Sequence, residues 1–216
     1  KPGNLKTILL NNVKESQFKV NSELKFDKNL ELTNESYIKG NMRNTVIDIK
    51  NKYIVRDINL FFDYRSQLLK IDKLEANFQD LKIFDSKIEY KNNNGHQING
   101  NISTKIDTSG TNIKNFFSLT DINFENFIFE KLIAEANSNF KFKLDKTLAI
   151  TKKTFNIKAE ISELTTGLIK EINSNILKEN INNIHIKDTI IDISHKNTNT
   201  TFKLISYIKT SEDFFR

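Results

Sequence analysis

The chain has 216 residues, with 33 basic and 27 acidic side chains, a formal net charge of +6, and neither Cys nor Trp. The lack of Cys excludes disulfides, thiolate metal sites and a Cys nucleophile, and no apolar run approaches the ~18 residues of a membrane-spanning helix. The basic residues alternate with acidic ones along the whole chain, so the charge indicates a solvated polar surface, and we expect no nucleic-acid partner.

Alternation of apolar and polar residues dominates the sequence from residue 18 onwards, and this period is typical of β-strands with one buried face. Clusters of Asn, Asp, Gly, Ser and Thr separate the alternating segments and predict short turns. The predicted turns lie at 27–29, 92–95, 108–110, 145–147 and 196–199. The predicted strands cover 18–26, 58–64, 83–90, 98–106, 140–144, 155–161, 184–186 and 202–204.

Three segments follow the helical period of 3.6 residues instead. They cover 5–13, 113–117 after a Thr-Asn capping signal, and 165–177. Because these segments do not alternate regularly with the strands, a parallel sheet with crossover helices is not expected. The sequence therefore predicts a mainly β fold, an antiparallel meander with a few short amphipathic helices.

One segment of the chain is echoed about a hundred residues later without gaps. The segments Leu81–Tyr90 and Ile184–Ile193 both alternate around an acidic residue followed by a hydroxyl residue, Asp85-Ser86 and Asp188-Thr189. This pattern predicts a strand, a sharp break at which the short polar side chains bond to nearby backbone, and a second strand that resumes the alternation. Weakly repeated strand pairs of this kind favour an architecture that grows by addition.

These two units, together with the passage Asn112–Phe124, resemble the AsmA-like proteins of the Gram-negative envelope, a family that includes the TamB and YhdP proteins. The resemblance implies an extended, curved antiparallel sheet, or β-groove, whose concave face is apolar. It also implies a role in moving phospholipid between the inner and outer membranes, or in supporting outer-membrane biogenesis. The implied location is the periplasm.

The segment begins at Lys1-Pro2-Gly3-Asn4, without a start Met or a signal-peptide pattern, which predicts a piece of a longer chain. We expect the inner-membrane anchor and the contacts with the two membranes to lie in other parts of that chain. Within the segment we expect a first β-groove portion over 1–110 and a second over 111–216. One continuous domain is the alternative.

The sequence predicts no enzymatic chemistry. The histidines are His96, His185 and His195, and we interpret them as ordinary residues of solvent-facing surfaces, with no metal site. Neighbouring residues of a strand point to opposite faces, so Asp85 and Ser86 do not form a base and a nucleophile. No Gly-rich phosphate loop is present, and we expect neither a catalytic residue nor a cofactor.

The alternating Phe and Ile residues predict a sheet with one continuous apolar face. That face is covered by a second sheet, as in a sandwich core, by another chain, or by the acyl chains of phospholipid in a groove. The resemblance favours the groove, and the alternative function is a non-enzymatic structural or adhesive β-repeat module of a surface protein. The residues predicted to line the groove are Phe18, Val20, Leu24, Phe26, Ile58, Leu60, Phe62, Phe140, Phe142, Phe155, Ile157 and Ile161.

Overall fold

The computed structural model describes residues 12–49, 53–92, 95–113, 126–145, 149–174, 179–196, 198–210 and 213–215. These residues form β-strands almost throughout. The strands are β1 Val13–Glu23, β2 Tyr37–Ile49, β3 Tyr53–Arg65, β4 Leu68–Phe78, β5 Leu81–Asn92, β6 His96–Ser109, β7 Phe127–Leu144, β8 Ile150–Ser174, β9 Glu179–Lys196, β10 Asn199–Thr210 and β11 Asp213–Phe215.

The strands follow one another in the sheet in the order in which they occur in the sequence, from β1 to β11. The pairs from β1 to β5 are antiparallel, so the predicted antiparallel meander is confirmed. Contacts divide the chain into two compact units. The first contains 1–103, 138–155 and 195–199, and the second contains 104–137, 156–194 and 200–216, so that strands β6 to β10 contribute to both.

The helix predicted over 165–177 is wrong for 165–174, because β8 runs as a strand from Ile150 to Ser174, and 175–177 lie outside the described residues. Two contacts tie this segment to the start of β7: the Thr166 hydroxyl donates to the Ile128 carbonyl (3.2 Å), and the Ile169 N–H donates to the Asn126 carbonyl (3.0 Å). The Thr and Ile residues of the segment are β-branched and suit a strand, so pairing across the sheet outweighs the helical spacing.

The other two predicted helices fall mostly outside the described residues. Of the segment 5–13, only Asn12 and Val13 are described, and Val13 already begins β1. At the second, Thr111–Ile113 form a single helical turn that includes the Thr-Asn capping signal, and 114–117 lie outside the described part.

A line of β-bulges crosses the strands of the first unit. Inside β2, β3, β4 and β5 one residue adopts a positive φ, and the strand register shifts next to it. An extra residue in one strand of a pair has this effect, and it also bends the strand locally. In β9, Asp188 also adopts a positive φ. The five residues are Asn44 (φ 48°), Asp57 (53°), Lys73 (50°), Asp85 (43°) and Asp188 (46°).

The sharp break predicted at the two echoed motifs is therefore confirmed, since both acidic residues have a positive φ inside a strand, and at Asp85 the break is a β-bulge. In each motif the residue after the acidic one is buried, and its hydroxyl bonds to the carbonyl two residues earlier. Ser86 Oγ donates to the Phe84 carbonyl at 2.9 Å, and Thr189 Oγ1 lies 3.4 Å from the Lys187 carbonyl. Ser86 Oγ also accepts the backbone N–H of Ser103 in β6 (3.0 Å).

The connection between β1 and β2, residues 24–36, forms a small hydrogen-bonded hairpin that we call the tip. The predicted turn at 27–29 lies at its end, and Phe26 and Leu32 form a bridge across it. The Asp27 carboxylate accepts the backbone N–H groups of Asn29 (2.8 Å) and Glu31 (2.9 Å). These bonds fix the turn by the mechanism that favours Asp at such positions.

An exposed ion pair spans the base of the tip. Lys25 Nζ lies 2.8 Å from Glu35 Oε2, and this hydrogen bond and charge lower the pKa of the Glu35 carboxyl below its ordinary value. A lowered pKa in the folded state contributes stability above the ordinary carboxyl pKa and loses it as the pH falls through the lowered value. Because the pair is exposed, we expect only a small change in stability over this range.

We therefore expect the Glu35 carboxyl to titrate below an ordinary glutamate in a carbon-detected NMR pH titration. The Lys25→Gln variant should return its pKa to the ordinary range, because the partner charge is gone. An identical Glu35 titration in the two proteins would contradict the ion pair.

Candidate functional site

One face of the first five strands carries a continuous row of mostly apolar residues. Val20 lies opposite Gly40, Gly40 opposite Phe62, Phe62 opposite Ile71, and Ile71 opposite Ile88. Residues directly opposite each other in antiparallel strands point to the same side of the sheet. The row therefore crosses five strands on one side, a span of about 19 Å at the usual strand spacing.

Two further rows flank it on the same side, because side chains two residues apart along a strand share a face. Phe18, Met42 and Leu60 form one of them, and Ile38, Tyr64, Leu69 and Tyr90 form the other. We call this side the apolar face and define it by these residues: Phe18, Val20, Ile38, Gly40, Met42, Leu60, Phe62, Tyr64, Leu69, Ile71, Ile88 and Tyr90.

The opposite side of the same strands is polar. Lys19 lies opposite Asn41, Asn41 opposite Phe61, and Phe61 opposite Asp72. Phe61 is the exception that the sequence also shows, and its ring lies below the Lys73 ammonium, 5.7 Å from the ring centroid. Phe61 and Phe62 are neighbours in the chain, so β3 carries one phenylalanine on the polar face and one on the apolar face.

The apolar face remains accessible in the structure. Phe18 and Val20 on β1 are 57% and 54% exposed, and the Ile38 and Tyr64 side chains on the next two strands are also exposed. The others, including Leu60, Phe62 and Ile71, are half-buried by their neighbours on the sheet. These side chains are thus not enclosed in the way that a dry core requires.

Two glycines allow phenylalanine rings to lie against the sheet. A Cβ on Gly40 would be 3.0 Å from Phe62 Cζ and 2.1 Å from the Lys19 carbonyl oxygen. A Cβ on Gly100 would be 2.9 Å from Phe140 Cζ and 2.5 Å from the Lys87 carbonyl oxygen. A glycine within a strand often marks such a close approach, and an aromatic ring then covers the exposed backbone.

The structure brings part of the predicted lining set together and separates the rest. Phe18, Val20, Leu60 and Phe62 share the apolar face. Ile58 directly follows the bulge residue Asp57 and is only 5% exposed, so its side chain is buried and not accessible as the apolar face is. Leu24 and Phe26 continue the alternation of β1 but lie beyond its end, in the tip.

The remaining predicted lining residues lie on β7 and β8 and are half-buried. Phe140 and Phe142 stack on each other, with 5.1 Å between ring centroids, and Phe140 covers Gly100. Phe155 stacks on the His195 ring at 5.1 Å. Contact of these residues with lipid, including Ile157 and Ile161 in the second unit, stays a prediction.

The interpretation of the histidines as solvent-facing is wrong for His195, which is 8% exposed because the Phe155 ring covers it. His96 Nδ1 lies 2.6 Å from the Tyr90 hydroxyl, and His185 Nδ1 lies 3.3 Å from the Thr165 hydroxyl. Within the described ranges, no three His, Asp or Glu side chains cluster in a way that could hold a metal ion.

The sequence prediction missed the contribution of β2 and β4 to the apolar face. Ile38, Gly40 and Met42 do alternate, but the glycine and the polar residues around it conceal the strand. On β4 the apolar residues Leu69 and Ile71 are two positions apart, but the bulge at Lys73 inserts one residue before the next apolar residue, Leu74. The period of two is therefore interrupted. A search for alternation that allows one inserted residue at an Asp, Asn or Lys would have found both strands.

No protein-family model, curated protein or solved structure matches this chain. Among the described residues, no helix has the length and apolar character that crossing a membrane requires. The function must therefore be inferred from the chemistry of the sheet itself, and above all from its apolar face.

Proposed function

We propose that the apolar face binds the hydrocarbon chains of phospholipid. The observation that carries this proposal is the registered row from Val20 to Ile88, which is apolar across five strands and partly open to solvent. Large exposed apolar patches on proteins mark surfaces that bind another molecule. A shallow face of this length suits an extended acyl chain better than a compact ligand.

The energetics of lipid transfer support this choice. Each CH₂ group of an acyl chain that leaves water is stabilised by about 0.8 kcal/mol, so a chain crossing water unaided meets a large barrier. A continuous apolar face lowers the barrier by replacing water along the chain, while the polar headgroup stays hydrated. No covalent step is involved, so this function requires no catalytic residue.

We propose further that the chain is a portion of an envelope protein that moves phospholipid between the inner and outer membranes, or that supports outer-membrane biogenesis. The consecutive strand order and the apolar face support this reading, since strands can be added at the end of such a sheet without changing its pattern. The corresponding location is the periplasm, with the parent chain anchored in the inner membrane.

The adjacent pair Phe61 and Phe62 provides a matched test of lipid binding. We expect Phe62→Gln to weaken binding of a fluorescent fatty acid by about 10-fold or more, because a polar group replaces a large side chain in the middle of the row. Phe61→Gln, the same substitution on the polar face, should leave the dissociation constant unchanged. The measurement is a fluorescence titration of each purified protein after its fold has been checked by circular dichroism.

Equal losses in the two variants would contradict binding at the apolar face. A wild-type protein that binds neither the fatty acid nor co-purified phospholipid would contradict the proposed function altogether. That outcome would favour the alternative, a structural or adhesive β-repeat module whose apolar face packs against protein.

A further inference from the structure

The tip carries the most exposed large apolar side chain among the described residues. Leu30 is 82% exposed, and Leu24, Phe26 and Leu32 around it are exposed as well. Phe26 and Leu32 face each other in the bridge, and Leu24 lies two residues before Phe26, so these three side chains share one face of the tip. The tip is thus a small hairpin with an apolar side.

The backbone of the tip is strained at the same residue. Leu30 has a φ of 62°, a left-handed conformation that Gly or Asn adopts readily and that is unusual for Leu. The turn holds this conformation through the Leu30 N–H bond to the Asp27 carbonyl (3.1 Å) and the side-chain bonds of Asp27. A large apolar residue that is both strained and exposed is better explained by a contact made through its side chain than by the turn.

The position of the tip relates it to the apolar face. Phe18, Val20, Ser22 and Leu24 alternate along β1 on one side of the chain, so the apolar face continues into the tip with only the small Ser22 between them. The Ser66 hydroxyl in the β3–β4 turn donates to the Asn34 carbonyl (2.9 Å) and fixes the tip at this end of the strands.

The charges of the tip define the surface that it can contact. The tip carries three carboxylates and two lysines, and Glu23 at the end of β1 adds a fourth carboxylate beside it. Lys25 already bonds to Glu35 and contacts Glu23. A segment with an excess of negative charge is not attracted to an anionic membrane, since that attraction comes from clusters of Lys and Arg. Its binding energy must come from the apolar side chains.

We propose that the tip is a membrane-docking element that inserts Leu30 and its apolar neighbours into the surface of a bilayer with zwitterionic headgroups. The choice of a bilayer rests on the proposed function, because an acyl chain that leaves the bilayer at the tip reaches the apolar face without crossing a charged band. Burial of one apolar side chain of this size changes a partition constant by about 10-fold or more.

The chain contains no Trp, so Leu30→Trp creates a single fluorescent reporter in the tip. With phosphatidylcholine vesicles we expect its emission to shift to shorter wavelength and to be quenched when the acyl chains are brominated. Gln79→Trp is the matched control, since Gln79 is also exposed and has a positive φ of 52°. It lies in the β4–β5 turn, at the opposite end of the strands, and should respond to neither condition.

A second variant separates docking from folding. Leu30→Asn suits the left-handed conformation, so its melting temperature should equal or exceed that of the wild type. Its co-flotation with phosphatidylcholine vesicles should nevertheless fall by about 10-fold or more. Unchanged flotation, or equal responses of the two Trp reporters, would overturn the proposal.

If the tip contacts something other than a bilayer, the same experiments give different results. A blue shift of the Leu30→Trp emission that depends on protein concentration and needs no vesicles would show contact with a second copy, and would overturn bilayer docking. Fatty-acid binding in the absence of vesicles tests the apolar face alone, and we expect Leu30→Asn to retain it. If docking persists while fatty-acid binding is absent, the proposed function fails and the docking element stands.

Discussion

Gly100→Ala should destabilise the protein by about 1–3 kcal/mol, the range for an extra methyl group forced into a packed site. The new Cβ would lie 2.5 Å from the Lys87 carbonyl oxygen, a backbone atom of the neighbouring strand that cannot move without disturbing the sheet. It would also lie 2.9 Å from Phe140 Cζ, so the ring that covers the glycine would have to tilt away. Urea unfolding followed by circular dichroism measures the change.

Gly167→Ala is the matched control, because Gly167 lies within a strand as Gly100 does and is, if anything, more buried. Its Cβ would lie 3.4 Å from Asn183 Oδ1 and 3.7 Å from Ile128 Cβ, which is close to ordinary packing distance. We expect a change of less than about 0.5 kcal/mol, or a slight gain, since Ala loses less backbone entropy than Gly on folding. Equal effects of the two substitutions would mean that the close approach at Gly100 does not constrain the sheet.

Ser86→Ala should cost about 1–3 kcal/mol, the usual cost of leaving a buried polar group unsatisfied. The Ser86 side chain is fully buried, and its hydroxyl bonds to the Phe84 carbonyl and to the Ser103 N–H of the next strand. Alanine would fill nearly the same space, so the loss would come from these two hydrogen bonds. The free energy of unfolding from urea titration is the quantity to compare.

Ser86→Thr preserves the hydroxyl and tests the role of the bulge itself. Thr189 occupies the corresponding position in β9 and Thr45 in β2, and each is buried after a residue with positive φ. We therefore expect Thr at position 86 to retain more stability than Ala. A Thr variant that is less stable than the Ala variant would show that space, and not hydrogen bonding, determines this position.

The strand content of the fold is predictable from the sequence, because a half-exposed sheet needs one apolar side chain at every second residue. Pairs such as Phe18 and Val20, or Phe140 and Phe142, show this alternation directly. The echo at Asp85 and Asp188 identifies two of the five positive-φ residues inside strands, since Asp followed by a hydroxyl residue marks them. Asn44-Thr45 is a variant of this motif with Asn in place of Asp, whereas the bulges at Asp57 and Lys73 carry no such motif and depend on the register of the neighbouring strands.

The helix predicted over 165–177 fails for a related reason. Leu168, Ile169 and Ile172 have helical spacing, but the partners that hold this segment as a strand, such as Asn126 and Ile128, lie about forty residues away in the sequence. The apolar face is likewise only partly visible in the sequence. Leu60 and Phe62 follow a simple alternation, whereas Gly40 belongs to the face because a phenylalanine from the next strand covers it.

The sequential order of the strands has a consequence for how the protein folds. Each strand pairs with the strand that precedes it in the chain, so most contacts join residues within a few tens of positions, and the contact order is low for an all-β protein. Any hairpin can then serve as a nucleus from which pairing propagates in both directions, as in repeat proteins. Hydrogen-exchange protection under native conditions should accordingly vary gradually from strand to strand.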